Sequence, residues 1–167
     1  MIISKTPLRM SYVGGGSDMP SYYQEHGGAV ISSAIDKYVY VMVKERFEKG
    51  VRVSYSKTEN VENRKQIEHP LVRNSLLMLG INQSVEIISA ADIPSTGTGL
   101  GSSGSFSVGL IQALLFFQKK ELSSEKYAQL ACKLEIELCK SPIGKQDQYA
   151  AAFGGCLLYT SDAADEG

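Results

Sequence analysis

The sequence predicts an α+β fold, in which helices pack on a mixed or mainly antiparallel sheet. Two observations predict this class. Segments rich in β-branched and aromatic residues fill the first half of the chain, and segments with helical spacing of apolar residues fill the second half. Strands followed by helices, without regular alternation of the two, are typical of α+β domains. The composition, with 43% apolar and 21% charged residues, is that of an ordinary globular domain.

The predicted strands of the first half begin close to the N-terminus. The first covers residues 2–13, and two more cover residues 29–35 and 38–47, the latter containing the run YVYVMV. A shorter strand is predicted at residues 51–55. Because Glu-Lys-Gly at residues 48–50 lies between the last two strands, we expect a hairpin turn there.

Helices are predicted mainly in the second half of the chain. Residues 71–79 have a rough helical spacing of apolar side chains, and a further strand follows at residues 84–88. Residues 105–118 are apolar on most sides, which predicts a deeply buried helix. The last predicted helix covers residues 123–139, where regularly spaced leucines line one face.

The net charge and the cysteines limit the classes of function. A formal net charge of −1 produces no global field that would attract nucleic acid or anionic lipid. No apolar run approaches the roughly 20 residues of a membrane helix, and the N-terminal residues predict a strand and not a signal peptide. The three cysteines form no C-x-x-C pair, so neither a disulfide framework nor a zinc site is expected. We therefore expect a cytoplasmic protein without nucleic-acid or membrane partners.

The last residues differ from the rest of the chain. Residues 159–167, YTSDAADEG, are small, polar and acidic, and they have neither strand alternation nor an apolar helical face. We expect a tail that is disordered or foreign to the domain. The domain itself is expected to cover residues 1–158.

The most informative segment is a glycine- and serine-rich loop at residues 93–105, between a predicted strand and the buried helix. Gly97, Gly99 and Gly101 remove side chains at alternate positions, so the backbone can approach a ligand closely. The serines that follow lie at a helix N-terminus, where free N–H donors and the helix dipole favour an anion. The sequence therefore predicts a phosphate-binding loop in preference to a plain glycine turn with a serine cap.

Two widespread phosphate-binding motifs do not explain this loop. The P-loop pattern G-x-x-x-x-G-K-[ST] is absent, because the Gly-Lys pair at Gly144 is followed by Gln146. Residues 99–104 match G-x-G-x-x-G, and Glu121 lies near the offset of a ribose-binding acid. Such a dinucleotide site needs the acid at the end of a second strand, whereas Glu121 precedes a helical pattern. A dinucleotide-dependent oxidoreductase is therefore the weaker alternative.

Two further groups of polar residues accompany glycine turns. Near the N-terminus, Arg9 lies on the first predicted strand, and a run of three glycines and a serine leads from it to Asp18. Late in the chain, Asp147 follows a Pro-Ile-Gly turn, and Glu135 lies on the preceding helix. Taken singly, each aspartate would be interpreted as a helix cap, Arg9 as a surface cation and Glu135 as a solvated charge.

Together, the three motifs resemble those of the GHMP kinase superfamily, which includes galactokinase, homoserine kinase, mevalonate kinase and phosphomevalonate kinase. The resemblance covers residues 2–158, and the GLGSS motif at residues 99–103 carries it most specifically. The segments TPLRMSYVGGGSDMPSYY and SPIGKQDQYAAAFGG are most similar to bacterial D-glycero-D-manno-heptose 7-phosphate kinases. Galactokinases carry Glu-His-Thr where this chain has Gly-Gly-Ser at residues 15–17, which argues against galactose.

The resemblance implies a kinase that uses ATP and Mg²⁺ to phosphorylate a sugar phosphate, with the anomeric hydroxyl of D-glycero-D-manno-heptose 7-phosphate as the expected acceptor. It implies that Asp147 accepts or orients the proton of that hydroxyl and that Arg9 stabilises the charge there. It assigns Mg²⁺ to Ser103 and Glu135. The residues that it implies for the ATP phosphates are Pro94, Gly97, Gly99, Leu100, Gly101, Ser102 and Ser103, and those for the sugar are Gly15, Gly16, Ser17 and Asp18.

The resemblance leaves other functions open. Fucokinase-like sugar kinases share parts of the same sequence motifs, and a non-catalytic sugar-phosphate-binding protein could keep these motifs as well. Members of the superfamily also carry a C-terminal domain that closes the site. We expect that domain to be absent here and the chain alone to be inactive. The sequence does not predict an oligomeric state.

Overall fold

The computed structural model of the chain describes residues 1–94 and 98–160, in which helices pack on one sheet. The strands are β1 (Ile2–Val13), β2 (Ala29–Glu45), β3 (Val51–Ser54), β4 (Thr58–Val61), β5 (Val85–Ala91) and β6 (Cys156–Thr160). The helices are α1 (Pro20–His26), α2 (Pro70–Met78), α3 (Ser102–Phe117), α4 (Ser124–Cys132) and α5 (Gln146–Phe153). A short 3₁₀ helix covers Arg64–Gln66, and a π-helical segment covers Lys133–Leu138.

The described strands form one mixed sheet. Its order is β1–β2–β5–β3–β4, and β6 also pairs with β2. The pairs β1–β2, β2–β5, β2–β6 and β3–β4 are antiparallel, whereas β3 and β5 are parallel. The predicted fold class, α+β with helices packed on a mixed sheet, is confirmed.

The longest strand corrects one prediction. Residues 29–35 and 38–47, predicted as two strands, fall on the single strand β2, which has 17 residues and ends at Glu45, two residues before the predicted end. The register with β1 shifts beside Pro7, and this shift leaves Asp36 and Lys37 outside the ladder of paired residues. A bulge with two exposed polar residues interrupts the apolar pattern although the strand continues.

The hairpin predicted at residues 48–50 is wrong. β2 and β3 are not neighbours, because β5 lies between them and pairs in parallel with β3. Val51 and Val53 pair with Val85 and Ile87, and all four side chains are buried in the main core. The burial of these side chains decides which strands pair, and a local turn sequence carries no information about it.

The central helix, α3, connects the sheet to the predicted phosphate loop. It begins at Ser102, earlier than the predicted start at residue 105. Leu110 and Leu114 share the main core cluster with Leu8 of β1. This packing holds the first turn of α3 beside the part of β1 that carries Arg9.

The last predicted helix has the correct position but is not regular. α4 ends at Cys132, and the chain continues as the π-helical segment Lys133–Leu138. The wider π-helical turn changes which side chains face inward. Leu134 and Glu135 are buried, whereas Leu138 is exposed. The predicted apolar face therefore stops short of Leu138, and a carboxylate enters the interior.

The C-terminal strand was not predicted. β6 continues through Tyr159 and Thr160, two residues past the expected domain boundary at 158, and Tyr159 is buried against Val30 of β2. The rest of the expected tail, residues 161–167, lies outside the described residues. In residues 1–94 and 98–160, no helix combines the length and the apolar character that a bilayer crossing requires.

Candidate active site

The predicted phosphate loop leads directly into the first turn of α3. Gly101 precedes the helix with a φ of 72°, a left-handed conformation that favours glycine. Gly101 offers no side chain to cap the helix, and no side-chain cap hydrogen bond is made at this helix start in the described part of the chain. The first-turn N–H groups and the positive end of the helix dipole therefore suit an anion.

The described residues of the loop are tied to β1. Arg9 donates from Nη1 to the carbonyl of Gly99, and its backbone N–H donates to the carbonyl of Leu100 at 3.1 Å. The side chain of Leu100 packs against the main core, which anchors the loop. Pro94 is exposed, and Gly97 of the predicted set lies outside the described residues.

Arg9 and Asp147 form an ion pair beside this helix start. Arg9 Nη2 lies 2.6 Å from Asp147 Oδ1, and Arg9 Nε lies 2.8 Å from the same oxygen. Asp147 is the second residue of α5, and a Cβ added to Gly101 would lie 3.2 Å from its Oδ2. The structure therefore brings together the two residues predicted for catalysis, at the edge of the predicted anion site.

The surroundings of Asp147 make its carboxylate a stronger base. Burial raises the pKa of Asp147 above its ordinary value, the Arg9 guanidinium opposes this shift, and the nearby Asp18 carboxylate adds to it. About a quarter of the Asp147 side chain remains exposed, with a relative exposure of 25%. The group can therefore receive a proton from a molecule bound at the loop.

A second carboxylate, that of Glu135, has different surroundings. Glu135 is only 1% exposed, so it is not the solvated charge that its position on a helix suggests. Ser103 Oγ donates to Glu135 Oε2, and Gln148 Nε2 donates to Oε1 at 2.9 Å. Both donors are neutral. The π-helical segment, the first turn of α3 and the first turn of α5 thus converge on this carboxylate.

The oxygens of Ser103 and Glu135 fit a magnesium ion. Mg²⁺ prefers oxygen ligands and takes one or two protein groups when phosphates and waters complete its shell. A carboxylate offers about four acceptor positions, and the two hydrogen bonds leave some of them available. No group of three or more His, Cys, Asp or Glu side chains within residues 1–94 and 98–160 could hold a metal by itself. The residues present therefore suit a metal that arrives with phosphate ligands.

Asp18 points into the protein and does not cap α1, whose N-cap is Met19. Asp18 Oδ2 accepts from the backbone N–H of Gln146 at 3.0 Å, and Oδ1 accepts from Gln146 Nε2 at 3.2 Å. The predicted contact of Asp18 with sugar hydroxyls stays a prediction. Sequence reasoning missed Gln146, because its partner lies 128 positions earlier and no local pattern connects the two.

The glycine turn before Asp18 is the exposed part of this region. Gly15 and Gly16 are exposed. Ser17 Oγ donates to the carbonyl of Ala29 at 3.0 Å and accepts from the N–H of Ala29 at 3.2 Å. The turn is thereby attached to the start of β2 and leaves its glycines open. The predicted role of this turn in sugar binding stays a prediction.

Comparison with known proteins identifies the family. The model of the GHMP kinases N-terminal domain matches residues 65–155, more than half of the chain. This chain belongs to the GHMP kinases. The matched range contains the phosphate loop, Glu135 and Asp147, whereas Arg9 and Asp18 precede it.

Several proteins similar to this chain are sugar kinases. The chain is 31% identical over 169 residues to the D-glycero-alpha-D-manno-heptose 7-phosphate kinase of Campylobacter jejuni, covering 92% of this chain and 49% of that protein. It is 28% identical over 176 residues to a bifunctional fucokinase/GDP-fucose pyrophosphorylase of Arabidopsis thaliana, covering 93% and 16%. The crystal structure of a D-glycero-D-manno-heptose 1-phosphate kinase from Bacteroides thetaiotaomicron matches with a TM-score of 0.85 and 26% identity, covering 96% and 59%. The chain spans about half the length of the heptose kinases that it matches.

This GHMP kinase domain also has a cavity that was not predicted. The cavity has a volume of about 580 Å³ and reaches the first turn of α3 at Ser102 and Ser103. In its wall, the His69 ring packs edge-on against Tyr55, with centroids 4.8 Å apart, and lies 5.3 Å from the ring of Phe106. Burial lowers the pKa of His69, so this ring is neutral at neutral pH. No local pattern could reveal the cavity, since its rings come from separate elements.

Proposed function

We propose that this domain binds ATP and Mg²⁺ in a kinase that phosphorylates the anomeric hydroxyl of D-glycero-D-manno-heptose 7-phosphate. The observation that carries the proposal is the position of the Arg9–Asp147 pair at the start of α3. Asp147, whose pKa is raised, therefore lies next to the proposed phosphate site at the start of α3. Phosphoryl transfer asks chiefly for positioning and charge compensation, which this arrangement supplies.

The phosphates of ATP lie on the loop and the first turn of α3 in this proposal. The N–H groups there compensate negative charge on the phosphate oxygens. The sugar hydroxyl attacks the γ-phosphorus, a new P–O bond forms, and the bond to the β-phosphate oxygen breaks, so that ADP leaves. Asp147 takes the proton of the hydroxyl, and Arg9 stabilises the carboxylate before the transfer and the negative charge near the reacting oxygen.

In this proposal Ser103 and Glu135 would hold Mg²⁺, which would supply charge neutralisation on the phosphates when bound. This assignment is supported by the hydrogen bond from the Ser103 hydroxyl to the buried Glu135 carboxylate at the first turn of α3. Gln148 orients the carboxylate through its side-chain amide. Partners of this type around a metal ligand fix its direction and tune its affinity.

The cavity beside the loop is proposed as the site of the nucleotide base. Its walls combine the rings of Tyr55, His69 and Phe106 with aliphatic side chains of β2 and β5. A pocket lined by aromatic and aliphatic side chains suits a purine, because aromatic rings stack on the faces of the base. Its contact with Ser102 and Ser103 gives a direct path from the base to the phosphates.

The choice of heptose 7-phosphate rests on similarity and on the N-terminal turn. The heptose 7-phosphate kinase of Campylobacter jejuni is 31% identical to this chain. The exposed glycines Gly15 and Gly16 leave room for a large sugar phosphate. A fucokinase-like substrate is the alternative, because the bifunctional fucokinase is also similar to the chain.

A substrate panel tests the proposal. The full-length kinase would be assayed with ATP and Mg²⁺ against heptose 7-phosphate, heptose, fucose and galactose, with the product identified by the position of the new phosphate. We expect the highest kcat/KM with heptose 7-phosphate and phosphate on the anomeric oxygen. A preference for fucose would replace the substrate, and binding of sugar phosphate without transfer from ATP would contradict the kinase assignment.

A further inference from the structure

Asp18 is the most deeply buried of the residues predicted to contact the sugar. Its residue is 1% exposed, whereas Gly15 and Gly16 in the same turn are exposed. Both carboxylate oxygens accept hydrogen bonds from Gln146, one from the backbone N–H and one from the side-chain amide. A carboxylate engaged in this way presents almost no surface to a substrate.

The bond to the backbone N–H of Gln146 acts as a helix cap from a distant part of the chain. Gln146 is the first residue of α5, and its backbone N–H donates to Asp18 Oδ2 at 3.0 Å. A helix start leaves N–H groups without intrahelical partners, and a carboxylate there also stabilises the positive end of the helix dipole. Asp147 is the next residue of the helix. The cap therefore fixes the backbone that carries the proposed base.

The chain before α5 is shaped to admit this carboxylate. A Cβ added to Gly144 would overlap the carboxylate of Asp18, so only glycine allows the approach. From β1, Ser11 Oγ donates to Gln146 Oε1 at 3.1 Å. The connection Ser11–Gln146–Asp18 thus joins the strand that carries one member of the catalytic ion pair to the helix that carries the other.

We propose that Asp18 is a positioning residue, which acts through Gln146 to hold Asp147 beside the phosphate loop, and that other groups bind the sugar. The proposal rests on the proposed kinase function and deepens it. A displacement of about 1 Å in a reacting group can cost about 100-fold in rate, so an anchor at this helix start controls turnover. The negative charge of Asp18 also helps to raise the pKa of Asp147, which favours proton acceptance.

The test separates kcat from KM in the full-length kinase. Asp18→Asn keeps the shape of the side chain but weakens the cap. We expect kcat to fall by about 10- to 100-fold while KM for the sugar phosphate changes by less than about threefold. Glu25→Gln on α1 is the matched control, since Glu25 is an exposed carboxylate, and it is expected to leave both constants unchanged. A large rise in KM with kcat preserved would overturn the positioning role.

A double-mutant cycle tests whether the effect passes through Gln146. Gln146→Ala removes the side-chain bonds to Asp18 and Ser11. Because both changes break one network, we expect their combined effect on kcat to be clearly less than the product of the single effects. Independent effects would contradict the proposal. Ser11→Ala is the mildest variant and covers the case in which Asp18→Asn does not fold; we expect it to lower kcat by about two- to fivefold with KM unchanged.

Hydrogen exchange gives a readout that needs no substrate. In the full-length kinase, Asp18→Ala should accelerate exchange of the Gln146 amide by at least about tenfold, with the amides in the middle of α3 unchanged. If Asp18→Ala loses this protection but the wild-type protein transfers no phosphate, the proposed function is rejected and the anchoring role of Asp18 is retained. Unchanged exchange of the Gln146 amide would overturn the inference even in an active kinase.

Discussion

Asp147 and Glu135 are two carboxylates near the start of α3, and their surroundings differ. Asp147 is partly exposed and forms an ion pair with Arg9. Glu135 is fully buried and accepts hydrogen bonds from a serine and a glutamine. A partly exposed base can exchange protons with a substrate, whereas a buried carboxylate held by two hydrogen-bond donors can be directed toward a bound cation. The comparison predicts different roles for the two acids in the proposed kinase.

The largest expected effect comes from Asp147→Asn, which keeps the shape of the side chain but removes the base. Turnover should fall by about 10²- to 10⁴-fold, the usual value of general-base assistance. The dissociation constant for ATP should change little, because the anion site of α3 is intact. Steady-state kinetics and calorimetry measure the two quantities. Asp36→Asn is the control at an exposed position, and turnover of the Asp147 variant within a few-fold of wild type would remove Asp147 from catalysis.

The second prediction concerns Glu135→Gln. We expect the affinity for Mg²⁺ in the presence of a non-hydrolysable ATP analogue to fall by at least about tenfold, since a charged ligand becomes neutral. Glu137→Gln is the matched control, because Glu137 lies two positions further on and is exposed. Equal Mg²⁺ affinities in the two variants, measured by calorimetry, would show that Glu135 holds no metal.

A third change sharpens the description of the buried acid. Gln148→Leu removes the Nε2 donor to Glu135 inside the protein. The free energy of unfolding should fall by about 1–3 kcal/mol, because a buried carboxylate loses a hydrogen-bond partner. Urea denaturation measures the change, with Gln83→Leu at an exposed position as the control. Wild-type stability of the Gln148 variant would contradict the orienting role of this amide.

The smallest expected effect is in the pH profile. Because the pKa of Asp147 is raised, protonation of the base begins at a higher pH than for an ordinary aspartate. The protonated acid cannot accept a proton, so kcat/KM should fall as the pH falls through this raised pKa and should be unaffected by the group at alkaline pH. Replacing Arg9 by methionine removes the opposing charge and should move the acidic limb to still higher pH. An acidic limb at the ordinary pKa of aspartate, about 3.9, would contradict the account.

The parts of the site that the sequence predicted have a local cause or belong to a family motif. The glycines and serines of the GLGSS loop predict the start of a helix. In the structure, Gly101 lies immediately before α3. Arg9 and Asp147 were assigned through motifs, and their ion pair joins residues 138 positions apart. The family motifs predict that Arg9 and Asp147 lie close together, whereas the local sequence around either residue does not.

The remaining parts depend on long-range packing. The pairing of β3 with β5 follows from buried valines and isoleucines on distant segments and overrides the turn signal at residues 48–50. The inward direction of Glu135 follows from the π-helical segment, which a helical period of 3.6 residues does not anticipate. Gln146 and Gln148 are ordinary polar residues by type, and only the fold reveals that Gln146 donates to Asp18 and Gln148 to Glu135.

One measurement tests the division of roles most directly: the rate of phosphate transfer to heptose 7-phosphate as a function of Mg²⁺ concentration for wild type, Asp147→Asn and Glu135→Gln. At saturating ATP and sugar, excess Mg²⁺ should restore much of the turnover of Glu135→Gln, because weak binding is overcome by concentration. The same excess should leave Asp147→Asn slow, because the missing base is not replaced by metal. Rescue of Asp147→Asn by Mg²⁺, or a rate of Glu135→Gln that stays independent of Mg²⁺, would contradict the assignment of base and metal ligand.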